Sequence, residues 1–338
     1  MKFGLTAVED ALDGIVVHAV RQDGLVLKKG HRIAEGDIAA LQKAGVREIT
    51  LARLDEDDVA EDEAAHRLAR AVAGDNVRVQ KPFTGRSNLF AETDGVLCID
   101  SGVIDAINEV DASVTVATLE RWRRVVAGEM IGTVKIIPFA TSGAIVGAAE
   151  TAAAPKPLSV AAFRQRWIGV VSTLLPGLKP ATIAKTLRVL GGRLEPTGSS
   201  IVEETRVAHE AGALSQAIAE IAGKSDIVIV FGASAITDRR DVIPTALELA
   251  GGEVEHFGMP VDPGNLLLTG RITKDSRNIH VLGAPGCARS PKENGFDWVL
   301  YRLLADLPVT AGDIKKMGVG GLLMEIVNRG QLRDGGDG

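Results

Sequence analysis

The chain reads as an α/β domain with a mainly parallel sheet over residues 165–305, preceded by an α+β, partly barrel-like module over residues 1–145. Three observations predict this. The five apolar residues Ile227 to Phe231, bounded by Asp226 and Gly232, have the length and composition of a strand buried on both faces. From Trp167 onward, β-type runs and helical patterns alternate, as they do when crossover helices cover a parallel sheet. Between the two regions, the small, Pro-bearing, aperiodic stretch 147–159 (GAAETAAAPKPLS) reads as a linker, which places a boundary segment at 146–164.

In the first region, strands are expected at Ile15 to Ala19, Leu25 to Lys28 and Glu48 to Ala52, around a helix from Gly36 to Ala44 that Gly45 caps. The acidic run Asp55 to Glu63 leads into a helix from Glu61 to Val72, whose early carboxylates suit the positive end of the helix dipole. No calcium-loop spacing is present there. Further strands are expected at Val96 to Ile99, Ser113 to Thr118 and Thr133 to Pro138, with a helical segment at Leu119 to Val126. His18, His31 and His66 stand far apart and in no ligand spacing, so they read as structural.

In the second region, a strand at Trp167 to Ser172 precedes a helix from Pro180 to Leu190 that Gly191-Gly192 should stop, and Arg193 to Glu195 is a short strand candidate. Val207, Ala211, Leu214, Ile218 and Ile221 define one face of a long helix from Glu203 to Ala222. After the 227–231 strand come a helix from Asp241 to Ala250, strands at Val254 to Phe257 and Ile279 to Leu282, and a helix from Asn294 to Leu304. Residues 306–338 are a tail, with a short helix, an apolar run from Leu322 to Val327 and a disordered RDGGDG end.

Composition narrows the function classes. At 46% hydrophobic and 24% charged residues, the chain has the balance of a soluble globular protein, and its 338 residues allow two domains. A net charge of −6 argues against a general nucleic-acid binder. Two isolated cysteines, Cys98 and Cys287, exclude a disulfide framework and imply a reducing cytoplasm. No 18-residue apolar run and no signal-peptide core is present, so no membrane role is expected.

The polar chemistry collects in four loops expected at the carboxyl edge of one sheet: 172–179, 232–241, 260–266 and 283–290. The small residues Gly232, Ala233, Ser234 and Ala235 let an anion approach backbone N–H groups, and Thr237, Asp238, Arg239, Arg240 and Asp241 follow at a helix start. By sequence alone, Asp241 is equally a helix N-cap.

These loops resemble the molybdopterin-binding domain shared by molybdopterin molybdotransferases and molybdopterin adenylyltransferases, over roughly residues 165–305. Asp226 to Phe231 is similar to the strand before that family's Gly-Gly loop, with Gly232 retained and Ala233 in place of the second glycine. Asp238 falls at the family's Gly-Asp-Tyr-Asp segment, and Arg240-Asp241-Val242 resembles an Arg-Asp-Val of the adenylyltransferases. Gly251-Gly252-Glu253-Val254 with Phe257-Gly258 resembles the next strand. Pro263-Gly264-Asn265 stands at Pro-Gly-Lys, and Pro285-Gly286-Cys287 at Pro-Gly-Asn. The family's Thr-Gly-Asp-Glu loop departs here, where Thr173 is followed by Leu174, Leu175 and Pro176. In the first region, Lys29-Gly30, Asp37 to Leu41 and Ala44-Gly45-Val46 are similar to segments of molybdotransferase-like proteins, some of which continue into a nucleotidyltransferase domain; this chain is expected to be the binding half alone.

The resemblance implies a three-layer molybdopterin-binding domain that takes molybdopterin or adenylylated molybdopterin, with Mg²⁺ and molybdate as further ligands and Mg²⁺-dependent molybdate insertion or adenylyl transfer as the reaction. A cofactor carrier and a nucleotide pyrophosphatase are the alternatives. Ligand contacts are implied at Ser172, Thr173, Gly232, Ala233, Ser234, Thr237, Pro263, Gly264, Asn265, Pro285, Gly286, Arg289 and Ser290, with Asp238 and Asp241 as catalytic and metal-binding carboxylates. Lys179, Arg239, Arg240 and Arg289 can replace the charge lost at Asn265. Cys287 reads either as a small buried hydrophobe or as a thiolate for molybdenum. A nucleotidyltransferase or molybdoenzyme as partner, and a homo-oligomer, belong to the same implication.

Overall fold

The computed structural model describes residues 1–323 and divides into two compact units, Met1–Ala161 and the chain from Ala162 onward. Among the described residues the first unit holds three cores, the smallest formed by Ile15, Val17 and Ala52. Val8, Leu27, Leu41, Ile49 and Leu51 fill a small one under the antiparallel sheet formed by Lys2–Ala7, Glu48–Arg53 and Ile15–Val16. A larger one packs the Glu61–Val72 helix against the antiparallel sheet of Val114–Thr118, Met130–Ile136, Arg86–Ala91 and Val77–Val79. The Glu61–Val72 helix lies where its carboxylate-rich start predicts it.

The expected linker is regular structure. Gly143–Ala152 is a helix with Ser142 accepting the Ile145 N–H at its start, and it buries Val146 and Ala149. Leu158–Ala162 is a strand beside Gly95–Ile99. Alanine-rich composition marks a good helix former with a small contact face here, not a flexible spacer. The expected helix at Leu119 to Val126 is also absent: Trp122 takes a φ of 68°, and Arg124–Val125 pairs with Gly95–Ile99. The Ser101–Asn108 helix, capped by Asp100, went unrecognised in the sequence.

The second unit is built on a six-stranded sheet in the order Ser200–Ala208, Trp167–Leu174, Ile227–Phe231, Arg277–Ala284, Leu268–Lys274, Glu253–Phe257. The first four strands are parallel and the last two join antiparallel. The Ile227–Phe231 strand is central and buried throughout. Alternation along it sorts the core: Ile227, Ile229 and Phe231 pack with the Pro180–Leu194 and Gly295–Leu304 helices, while Val228 and Val230 pack with the Ala211–Ala222 and Val242–Leu249 helices.

Four further expectations are corrected in this unit. Residues 200–208 are a strand, and only Ala211–Ala222 is helical; the alternating exposure of 200–208 has a period of two, and the helical face read from Val207 was a coincidence of spacing. The Pro180–Leu194 helix runs through Gly191-Gly192 because Leu190, Arg193 and Leu194 are all buried by tertiary contacts, which also removes the strand expected at Arg193 to Glu195. The Leu268–Lys274 strand was missed; it joins Arg277–Ala284 through Asp275 and Ser276, both at positive φ. Finally, the first part of the expected tail belongs to the core, where Ile314 and Met317 are buried and Asp262 exchanges backbone hydrogen bonds with Gly321 and Leu323. Residues 324–327 of the apolar run and the RDGGDG end lie outside the described residues.

Candidate functional site

The strand order sets where a site can form. From the Trp167–Leu174 strand the chain moves outward to Ser200–Ala208, then crosses back to Ile227–Phe231 on the other side. The carboxyl ends of Trp167–Leu174 and Ile227–Phe231 therefore flank a topological switch point, where loops diverge and leave a crevice. Register brings Ser172, Phe231 and Ala284 side by side at this edge. Leu268 pairs with Gly283, so the loop preceding Leu268 reaches the same edge. All four loops singled out in the sequence thus leave or enter one edge of the sheet.

Thr173 closes the switch point. Its buried Oγ1 accepts the Ala233 N–H at 2.7 Å and lies 2.8 Å from His209 Nδ1, tying the ends of three adjacent strands together. His209 has no place in the sequence reading, because it lies inside the helix expected from Glu203 to Ala222. The loop beyond Gly232 is narrow for its own sake. A Cβ at Gly232 would stand 2.6 Å from the Ser234 carbonyl oxygen and 2.8 Å from Ile243, so this glycine is required by the turn even without a ligand. Ser234 and Thr237 are exposed.

Arg289 reaches the loop from the neighbouring strand end. It donates to the Gly232 carbonyl at 2.8 Å and to Thr186 Oγ1 at 3.0 Å, and its guanidinium lies over the Phe231 ring. Among the described residues no carboxylate pairs with it. Burial pushes its pKa below the ordinary arginine value. A desolvated cation without a counter-charge is the strongest attraction for an anion at this edge.

The two aspartates are already engaged. Asp241 caps the Val242–Leu249 helix, accepting the Val242 N–H at 2.8 Å through one oxygen and the Thr237 N–H at 3.1 Å through the other. Asp238 accepts the Arg240 backbone N–H and its Nε, each at 2.8 Å, and the Arg240 Nη2 at 3.3 Å; this pairing holds its pKa below the usual carboxylate value. All four carboxylate oxygens therefore accept hydrogen bonds from protein donors. Among the described residues, no three His, Cys, Asp or Glu side chains gather as a metal site. The pair does not fit a preassembled magnesium site.

The other two loops are positioned by the Gly295–Leu304 helix. Pro263 accepts the Gly295 N–H at 2.9 Å, and Gly264 packs so closely that a Cβ would meet the Gly295 backbone at 2.8 Å, while Asn265 is exposed. No hydrogen bond links Pro263, Gly264 or Asn265 to the 232–241 loop among the described residues. Pro285 starts the Gly286–Arg289 turn. Ser290 is held by Arg193, which is buried and donates to the Ala288 and Ser290 carbonyls at 3.0 and 2.7 Å and to Asp297. Asp297 also accepts the Asn294 N–H at 2.9 Å, so one carboxylate caps the helix and fixes the arginine. Neither Arg193 nor Asp297 was read from the sequence. Cys287 is half-buried, and burial pushes its thiol pKa up, away from a thiolate.

Residues 6–53 match a family described as Domain of unknown function (DUF8806), a span that encloses the core built on Val8, Leu41, Ile49 and Leu51. No curated protein matches the chain. Among solved structures it is similar to a molybdenum cofactor biosynthesis protein from Pyrococcus furiosus, at 10% identity and a TM-score of 0.27, covering 90% of this chain and 64% of that one. It is also similar to a molybdopterin biosynthesis MoeA protein from Pyrococcus horikosii, at 15% identity and a TM-score of 0.31, covering 93% of this chain and 77% of that one. The chain thus spans less than two thirds of the first of these structures. At such TM-scores the likeness positions no residue. No helix among the described residues is long and apolar enough to cross a membrane.

Proposed function

We propose that the unit beginning at Ala162 is a three-layer molybdopterin-binding domain acting in molybdenum-cofactor biosynthesis, and that it binds molybdopterin or its adenylylated form at the carboxyl edge of the sheet. One observation carries the reading: Arg289, desolvated and without a carboxylate partner, is held against the Gly232 carbonyl at the switch point. The ligand phosphate lies against the backbone of the exposed residues Ser234, Ala235 and Thr237 and beside Arg289, with Arg239 at the rim. The order of the quoted motifs across 165–305 supports the pterin class over other phosphorylated ligands.

Holding the cofactor without turnover is the reading favoured over transfer chemistry. In a transferase, magnesium would compensate phosphate charge and assist molybdate insertion or adenylyl transfer, yet the oxygens of Asp238 and Asp241 are bonded to the protein, and Leu175 and Pro176 stand where the family carries acids. The chain's own residues then bind and orient: Thr173 holds Ala233, Arg289 attracts the phosphate, and Asp241 keeps the helix start in place.

The test is the ligand itself. The purified protein is oxidised and assayed for pterin fluorescence and mass, then supplied with adenylylated molybdopterin, molybdate and Mg²⁺. Bound pterin without turnover is expected. Turnover would replace the carrier reading with the transferase, hydrolysis of free dinucleotides would support a pyrophosphatase, and absence of pterin binding would end the proposal.

A further inference from the structure

The opposite, amino edge of the same sheet carries a cleft that the carboxyl-edge reading does not use. Its volume is about 420 Å³, within the range of roughly 300–1,000 Å³ typical of small-molecule sites. Arg166, Asp226, Arg277, Asn278, His280 and Asp306 supply its polar lining, and Leu303 and Leu307 are among its apolar walls. Asp306 follows the Gly295–Leu304 helix, and the other polar groups stand just before or in the first half of three adjacent strands, where parallel register holds Ile168, Ile227 and His280 in line.

The remaining hydrogen-bond capacity of this lining is unequal. Asp226 accepts the Trp167 N–H at 2.9 Å through one oxygen and faces Arg277 at 3.5 Å through the other, while Asp306 takes Arg166. The Asn278 side-chain Oδ1 accepts from the Thr273 hydroxyl at 2.9 Å. The acceptors are therefore largely spent. Donors are left over: an arginine has five N–H groups, and the structure assigns few of those on Arg166 and Arg277 to protein partners. The Asn278 amide adds two more. The two arginines and two aspartates of the lining cancel in formal charge, and Arg164, outside the lining, lies 3.9 Å from Asp306. His280 is half-buried among Arg166, Asp306, Glu255 and Arg271, and burial pushes its pKa below the ordinary histidine value.

We infer that this cleft is a second binding site, for a small organic anion whose oxygen-rich head accepts from Arg166, Arg277 and Asn278 and whose apolar body lies on Leu303 and Leu307. A carboxylate and a phosphate ester share this chemistry. An arginine already ion-paired keeps its directional donors, and an apolar wall beside it favours a ligand with both parts over a free inorganic ion.

Isothermal titration of the whole chain with 4-phenylbutyrate, phenyl phosphate, inorganic phosphate and neutral 4-phenylbutyramide tests it. Millimolar or tighter binding of 4-phenylbutyrate or phenyl phosphate is expected, whichever binds better identifying the head group, with inorganic phosphate and the amide weaker by roughly tenfold or more. Arg277→Gln should weaken the better probe by roughly tenfold, and Leu307→Trp, which fills the cleft, should abolish its binding. Arg289→Gln, at the other edge, should leave it unchanged, so this result stands apart from the fate of the pterin reading. Thermal melts check that each variant is folded. No binding by either apolar anion, equal binding of the neutral amide, or undiminished binding in folded Leu307→Trp overturns the inference.

Discussion

Two arginines serve the same short turn, Gly286–Arg289 and its exit, Arg193 from the Pro180–Leu194 helix and Arg289 from the turn itself, and their surroundings differ. Arg193 is buried, bonded to three backbone carbonyls of the turn's exit and matched by Asp297, which is itself locked as a helix cap. Arg289 is half-buried, bonded to one carbonyl and one hydroxyl, and among the described residues has no carboxylate partner. Both have lost water. Only Arg193 has recovered a counter-charge from the protein, so its side of the turn is structural, and the Arg289 side keeps an attraction that a ligand can satisfy.

The comparison breaks first at Arg193. Arg193→Met leaves Asp297 buried without its partner and should cost about 3–5 kcal/mol in a urea unfolding curve. The double change Arg193→Met with Asp297→Asn should cost clearly less than Arg193→Met alone; equal losses would show that the ion pair is not what holds the turn. Next in size is Gly232→Val, which forces the 232–234 backbone apart or displaces Ile243. A loss of about 1–3 kcal/mol is expected, together with weaker pterin binding, because the loop itself is distorted. An unaffected melting curve would restore the view that this glycine serves only the ligand's approach.

Arg289→Gln sharpens the contrast from the other side. Its stability cost should stay near 1 kcal/mol, that of a hydrogen bond, while affinity for a phosphorylated pterin falls at least tenfold, about 1.4 kcal/mol. If the stability loss rivals that of Arg193→Met, the two sides do not differ in kind. Asp241→Ala should cost about 1 kcal/mol as a lost N-cap, and Asn at this position should restore most of it. A metal role would instead show as a Mg²⁺-dependent stabilisation lost in both. The smallest effect is expected for Asp238→Asn, whose exposed pair with Arg240 should be invisible in unfolding curves and detectable only in the salt dependence of ligand binding.

Legibility followed the range of the interactions involved. The Glu61–Val72 helix and the Ile227–Phe231 strand announce themselves, since an amphipathic face with an acidic start and an uninterrupted apolar run are local signals. The Asp241 cap was an open alternative for the same reason. Where neighbours decide, reading failed: Ser200–Ala208 is a strand because Trp167–Leu174 pairs with it, and Gly191-Gly192 does not end its helix because Leu190, Arg193 and Leu194 find a core beyond it. The alanines of 143–152 were taken for a spacer because their value lies in how closely another element can approach.

The sequence by itself therefore determined the alternation of strands and helices after Trp167, the buried central strand, and the four loops rich in small and polar residues. Each of these is written in patterns a few residues long. Only the tertiary structure decided that Thr173, His209 and Ala233 meet, that Arg193 has a carboxylate and Arg289 has none, and that the opposite edge holds a cleft lined with spare donors. The physical reason is that pairing, desolvation and leftover hydrogen-bond capacity are properties of groups brought together from distant parts of the chain. Arg193 and Asp297 are 104 residues apart, and no local pattern records whether a charge so placed will find its partner.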